Sequence, residues 1–482
     1  MVRAMTRTSP SREPAPFEGA AGESNEALAK YREMTAAPVP ALLLKLGIPT
    51  TCSMLVTAIY NTASTYYVSY LGTAAVGAMG VAFALQMVIQ TLGIMVGQGC
   101  ATLVSPLLGA KKRREADVVA SSSLALAIVL GSILAALSLL CLTPFLRLLG
   151  ATPSILSPAS EYSLLILLAA PVMTGAFALN NFLRAEGLAA VGTVWLAAGS
   201  IINLALSPLL IFTFEMGIRG AALSTALCQV FSFAMLLRHY LRGKGTLRLR
   251  LACVSKDWRT YAGILKVGLP SLARNAWAAA AAAMLNLAAG QFGDAGVAAM
   301  SVVGRVMMIA NAVMIGIGQG FQPILGYNWG AERYRRVVEA LDDVLWIAFL
   351  TMSALGLLGF CFATEILQFF ETNDPAVTAI GVLALKLQCA AVPLAPVSVI
   401  VNMAYQGVGR TKTATILASM RQGIVFAPLV AVLPPVWGVW GLAAAQPLSE
   451  LVSLLLCGWF FWKFRREARA LIACGKLPPS AS

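Results

Sequence analysis

Twelve stretches of this 482-residue chain are too long and too apolar to be packed into a core that folds in water. They lie near 42–70, 74–105, 119–144, 158–183, 188–213 and 217–241. A second six lie near 261–291, 297–325, 342–367, 376–404, 411–435 and 438–464. A helix needs about 20 residues to cross roughly 30 Å of hydrocarbon, and every stretch supplies them. Lipid offers the backbone no partners, so a spanning segment must be a helix or part of a closed barrel. A barrel would show alternating strands of about ten residues, and the sequence has none. The composition, 59% hydrophobic and 12% charged, compares with about 45–50% and about 25% in soluble domains. The expected fold is an all-α membrane protein with twelve transmembrane helices.

The two sets of six are copies. Gly97-Gln98-Gly99 recurs as Gly318-Gln319-Gly320, and Gly109-Ala110 recurs as Gly330-Ala331 at the same offset along the chain. Leu44–Pro49 recurs as Leu265–Pro270 at that offset too, as does Gly217–Gly220 in Gly438–Gly441. Asn180 and Gly187 pair with Asn402 and Gly409, one position further on. A near-constant offset over so long a span marks a duplicated unit. Six is even, so both copies enter the membrane from one side, and the expectation is two parallel six-helix lobes. Residues 1–38 read as a disordered cytoplasmic tail, 39–241 as the first lobe and 242–260 as a cytoplasmic linker. Residues 261–466 read as the second lobe and 467–482 as a second tail. No apolar signal-peptide core precedes the first span.

The net charge of +14 does not imply nucleic acid, because the Lys and Arg sit between apolar runs. With the N-terminus inside, the loops expected in the cytoplasm carry seventeen Lys and Arg, Arg184 among them, and the outer loops carry two, Arg147 and Arg219. That bias places both termini in the cytoplasm and the protein in the cell membrane. The nine Cys are scattered without a CxxC pair and read as small apolar residues. No phosphate loop, metal-spaced His/Cys set or catalytic triad signature occurs, so the chain reads as neither an enzyme nor a metal or cofactor protein.

Charges inside a span are costly and usually face an interior or a wet cavity. Five fall well within apolar runs, all in the second copy: Arg274, Arg305, Lys386, Arg421 and Glu450. Their first-copy counterparts are Ser53, Ala84, Leu164 or Leu165, Gly199 and Gln229. Glu450 is the one acid near the middle of a span. It is either a coupling group for a proton or cation, or one half of a static pair with Arg421 or another base. Asn61, Ser64, Asn180, Asn181, Asn203, Gln229, Asn275 and Gln422 either line a polar cleft or tie helices together. Pro49 and Pro270, at equivalent places in the first helix of each lobe, are either hinges or tolerated bends.

Several segments carry a family resemblance. They are LGIP at 46–49 with YNTASTYYVSYLGTAAVGAMG at 60–80, GQG and LLGAKK within 97–112, and NNFLRAEG at 180–187. The second lobe adds GQGFQPILGYNWGAERYRRV at 318–337, ASMRQGIVFAPL at 418–429 and AQPLSEL at 445–451. The chain resembles the multidrug and toxic compound extrusion (MATE) transporters of the MOP superfamily, in their MepA-like bacterial subgroup. The resemblance implies an antiporter that exports small organic, often cationic compounds, driven by a Na⁺ or H⁺ gradient, and the chain is expected to work as a monomer. It also implies an acid on the first helix, where this chain has Ser64, and an acid on the last helix, which Glu450 supplies. Two other readings are a lipid-linked oligosaccharide flippase and an exporter of an anionic metabolite.

Overall fold

The computed structural model describes residues 23–370 and 374–473. The first half contains α1 (Glu23–Ala36), α2 (Val39–Ser69), α3 (Thr73–Gly109), α4 (Arg113–Leu140), α5 (Leu142–Leu148), α6 (Leu156–Ala185), α7 (Ala189–Pro208) and α8 (Gly217–Leu241). The second contains α9 (Trp258–Gly290), α10 (Gly293–Gly330), α11 (Tyr334–Cys361), α12 (Ala363–Phe370), α13 (Pro375–Ala391), α14 (Ala395–Gly407), α15 (Thr411–Ser419), α16 (Phe426–Trp437) and α17 (Val439–Ala473). Helix α7 runs on into a π-helical turn, Leu209–Thr213; α13 and α14 are joined by a short 3₁₀ turn; α15 and α16 are joined through a π-helical turn, Met420–Ile424. So joined, the long helices form twelve rods among the described residues. Eleven combine the length and hydropathy of a membrane span. The twelfth, α9, is 33 residues long, and Arg259, Lys266, Arg274, Asn275 and Asn286 dilute its apolar character.

The loops expected to be basic and cytoplasmic gather at one face. Arg333 and Arg336 donate to the carbonyls of Thr35 and Ala37 at 2.8 and 2.6 Å. The linker backbone docks on α4, with the N–H groups of Arg248 and Ser255 reaching Asp117 and Ser122, each at 2.8 Å. Arg465 pairs with Asp342 at 2.7 Å, and Arg410 pairs with Glu467. These contacts correct the expected disordered tail. Residues 23–36 are helical and residues 34–37 are pinned on the end of α10, because two guanidinium groups hold their carbonyls; residues 1–22 lie outside the described residues. Helix α17 likewise continues past 466 to Ala473.

Among the described residues three apolar cores divide the interior. One, in the half nearest the basic loops, draws on both lobes: Leu46, Val96 and Phe182 pack in it with Phe321, Ile400 and Leu417. In the other half each lobe has its own core, around Leu85, Ile166 and Ala222 in the first and around Val303, Leu385 and Phe426 in the second. The lobes are therefore fused at the basic face and separate beyond it.

The duplicated glycines form the seam. A Cβ on Gly99 of α3 would meet the carbonyl oxygen of Ile264 in α9 at 2.3 Å, and its copy, Gly320 of α10, would meet the backbone of Gly47 in α2 at 2.7 Å. Nearer the loops, Gly109 meets Tyr327 as Gly330 meets Pro106. Small residues let membrane helices approach this closely, so the echo in the sequence is the trace of a pseudo-twofold contact between lobes.

Candidate functional site

Glu450 and Arg421 stand on different elements of the second lobe and meet inside it. Arg421 lies on the π-helical turn Met420–Ile424, a local widening that often marks functional sites in helices. The wider turn redirects its carbonyl, which accepts the Ser449 hydroxyl at 2.6 Å. Ser449 precedes Glu450 on α17, so this bond docks the two elements and sets the pair. Arg421 Nε donates to Glu450 Oε1 at 2.5 Å, and Nη2 donates to Asn311 Oδ1 of α10 at 2.9 Å. Gln446 Nε2 also reaches Glu450 Oε1, at 3.3 Å. The second carboxylate oxygen, Oε2, is buried with no partner among the described residues.

The pair opens on a cavity of about 180 Å³. The run Ala278–Ala283 on α9 contributes Ala278, Ala281 and Ala282 to its wall, and three side chains that end at Cβ leave the space. Met300, Met307, Met314 and Met352 supply a soft apolar lining, with Asn311, Gln388, Gln422 and Gln446 as polar points. Flexible thioether side chains adapt to ligands of different shape. One acid with a free oxygen, a fixed guanidinium and an adaptable apolar wall can hold an amphipathic molecule and exchange a proton or cation.

The other sequence candidates are distributed elsewhere. Ser64, Asn203, Ser207 and Ser224 form a buried knot in the first lobe: Ser207 Oγ lies 3.0 Å and Ser64 Oγ 3.5 Å from Asn203 Oδ1, while Asn203 Nδ2 donates to Ser224 at 3.4 Å. These groups satisfy one another and tie α2, α7 and α8 together. Asn61 is on α2, but its side chain lies outside the described residues. Asn180 lies over Gly192 of α7. Gln229 is half-buried and absent from the cavity wall. Arg274 has a buried Nη1 without a partner among the described residues, and the neighbouring Asn275 is half-buried. Arg305 is exposed on the stripe of α10 beside the cavity-lining one. Lys386 lies over the Phe360 ring at 5.6 Å. Pro49 is well inside α2, where its carbonyl accepts the Thr193 hydroxyl at 2.8 Å, and Pro270 is buried in α9.

Sequence reasoning missed two ionisable groups of the first lobe. Arg184, counted with the basic loops, is buried at the end of α6, where it donates to Asn181 at 2.5 Å. Glu186, two residues further on, is fully buried and accepts from the linker amides of Thr246 and Leu247. Burial pushes its carboxyl pKa up to about 7, against the pull of those amides. Buried charge is therefore not confined to the second lobe: Arg184 and Glu186 lie buried at the basic end of the first.

Two duplicated lobes of spanning helices, the second holding a buried charge pair on the wall of a cavity, mark a polytopic membrane transporter rather than an enzyme. The model of the MatE family matches residues 49–209 and 270–432, one segment per lobe, and the chain belongs to that family. It is similar to the multidrug export protein MepA of Staphylococcus saprophyticus, 25% identical over 86% of this chain and 92% of that one. MepA of Staphylococcus aureus is 25% identical over 87% and 93%. Among solved structures, an outward-facing MATE transporter of the MOP superfamily superposes with a TM-score of 0.86 at 24% identity, covering 93% of this chain and 99% of that one. A MOP superfamily transporter from Pyrococcus furiosus, described by the reversed polarity of its binding pocket, gives 0.85 at 24% identity, covering 94% and 99%.

Proposed function

We propose that this protein is a secondary antiporter of the cell membrane that exports small, amphipathic organic compounds by alternating access, driven by an inward Na⁺ or H⁺ gradient. The relatives described as multidrug export proteins support the substrate class. The observation that carries the mechanism is Glu450. It is a buried acid with one oxygen committed to Arg421 and Gln446 and the other free, on the wall of a methionine-lined cavity. A proton, Na⁺ or an organic cation competes for that oxygen, and competition for one group is what couples two fluxes. With the N-terminus and C-terminus inside, the fused basic face is cytoplasmic, and the lobes part toward the outside. Pro49 and Pro270 serve as bends about which they rock. The protein works as a monomer.

The test is drug-induced pH change in proteoliposomes, with and without Na⁺. Wild-type protein moves protons or Na⁺ against drug. Glu450→Gln, inserted at normal level, loses at least about tenfold in gradient-driven export, which is about 1.4 kcal/mol of coupling. Unchanged export by that variant would defeat the assignment. The unpaired Nη1 of Arg274 favours a second reading, export of an anionic compound or flipping of a lipid-linked sugar. Competition by anionic lipid precursors, but not by organic cations, would support that reading.

A further inference from the structure

Between the lobes, just above the basic face, lies a second and much smaller cavity. Gln98 of α3 and Gln319 of α10 line it from opposite lobes. They are copies of one another in the duplicated sequence, so the cavity lies on the pseudo-twofold axis. Both are buried, and the Oε1 of each lacks a partner among the described residues. Arg184 of α6 lines the same cavity, 8% exposed. Its Nη2 is committed to Asn181, while Nε and Nη1 have no partner among the described residues. Among the described residues no carboxylate lines the cavity. Glu186, next but one along the chain, is turned to the linker amides. Another base, Arg274 of the other lobe, lies close enough to repel Arg184.

The second lobe shows what a satisfied version looks like. Arg184 corresponds to Gln406, in the register that pairs Asn180 with Asn402. Gln406 donates to Ser271 at 2.8 Å and accepts from Gln322 at 3.2 Å. The duplication therefore placed a neutral, internally bonded amide on one side of the axis and an unneutralised guanidinium on the other. A buried cation without a counter-charge costs several kcal/mol. The centre of a water-sized sphere can move through about 10 Å³ there, so the space holds one particle somewhat larger than a water.

We infer that this cavity binds one halide-sized anion, chloride in the cell, when the lobes are closed at the basic face. Arg184 Nε and Nη1 supply charge-assisted donors. The amides of Gln98 and Gln319, held by no hydrogen bond among the described residues, turn their NH₂ groups inward; the two ends of an amide are interchangeable in such a site. The anion also offsets the repulsion between Arg184 and Arg274 across the seam. Because its ligands come from both lobes, the site exists only while the lobes meet, and occupancy stabilises that state by linkage. Chloride thus acts as a latch on the closed basic face, independent of which compound is exported.

The test is amide hydrogen exchange of the purified full chain over residues 97–109 and 318–330, in sodium chloride against sodium gluconate at equal ionic strength. Chloride at ten times its Kd slows exchange there about tenfold, and bromide does the same. Arg184→Gln, which copies the second lobe, removes the difference between anions. Equal exchange of the wild type in chloride and gluconate would mean that the cavity holds water only, and overturns the proposal. Retention of the full chloride effect by Arg184→Gln overturns it as well. Should that variant fail to fold, Gln98→Leu takes its place, with a reduced chloride effect expected and an undiminished one contrary.

Discussion

A Cβ built on Gly330 would stand 1.9 Å from the carbonyl oxygen of Pro106. The two residues belong to α10 and α3, in different lobes, and the contact is repeated by Gly109 against Tyr327 at 2.1 Å. Backbone cannot yield as a flexible side chain does, so even one methyl group forces the helices apart. Gly330→Ala should shift the protein away from the closed basic face, seen as faster amide exchange over 97–109. Gly80→Ala is the control: a Cβ there meets nothing within 4 Å beyond its own helical turn, and alanine in a helix interior gains up to about 1 kcal/mol over glycine.

The Arg421–Glu450 pair is buried, with side chains 17% and 5% exposed. Breaking such a pair from one side strands a charge and costs about 3–5 kcal/mol, whereas replacing both partners with apolar groups is often near neutral. Arg421→Leu and Glu450→Leu should each lower the thermal midpoint, and the double variant should recover most of the loss. Additive losses would show that the two groups act separately. None of the three should retain gradient-driven export.

The hydroxyl and amide knot of Ser64, Asn203, Ser207 and Ser224 is a structural tie in this reading. Asn203→Leu leaves buried hydroxyls short of a partner, at about 1–3 kcal/mol, measured by thermal unfolding. Export per folded molecule should be unchanged.

Glu186 gives a pH dependence with a defined sign. Its folded pKa, about 7, is above the ordinary 4.5. Between those values the folded protein holds a proton that the unfolded chain releases. The contribution to stability is complete below about pH 4.5 and is lost as pH rises to about 7, by on the order of 3 kcal/mol. The thermal midpoint of the wild type should therefore fall between pH 5 and pH 8 more steeply than that of Glu186→Gln.

The span count and the duplication were legible because both rest on local rules, apolar length and a repeated glycine pattern. Glycines 99, 109, 320 and 330 were visible as copies, but their partners across the seam were not, since sequence offset says nothing about which helix faces which. The charges Arg421 and Glu450 stood out for their cost in lipid, and their pairing came from the turn Met420–Ile424, for which no propensity gives a sign. Arg184 was overlooked because an arginine at the end of an apolar run looks like an interfacial anchor. The one clue was its neutral counterpart, Gln406. Residues 23–37 looked disordered because their own composition is polar; Arg333 and Arg336, in the other half of the chain, are what fix their end.

The division into one shared core and two private ones sets what a change of access must do. Opening at the basic face means taking apart packed side chains such as Phe321, Phe182 and Leu46 and rebuilding contacts at the far end. The ion gradient acts on a single carboxylate, but the larger traffic is of oily surface, exposed at one end as it is hidden at the other. The two areas offset, so the net heat-capacity change stays small, and the cost of switching falls on the intermediate in which neither end is packed.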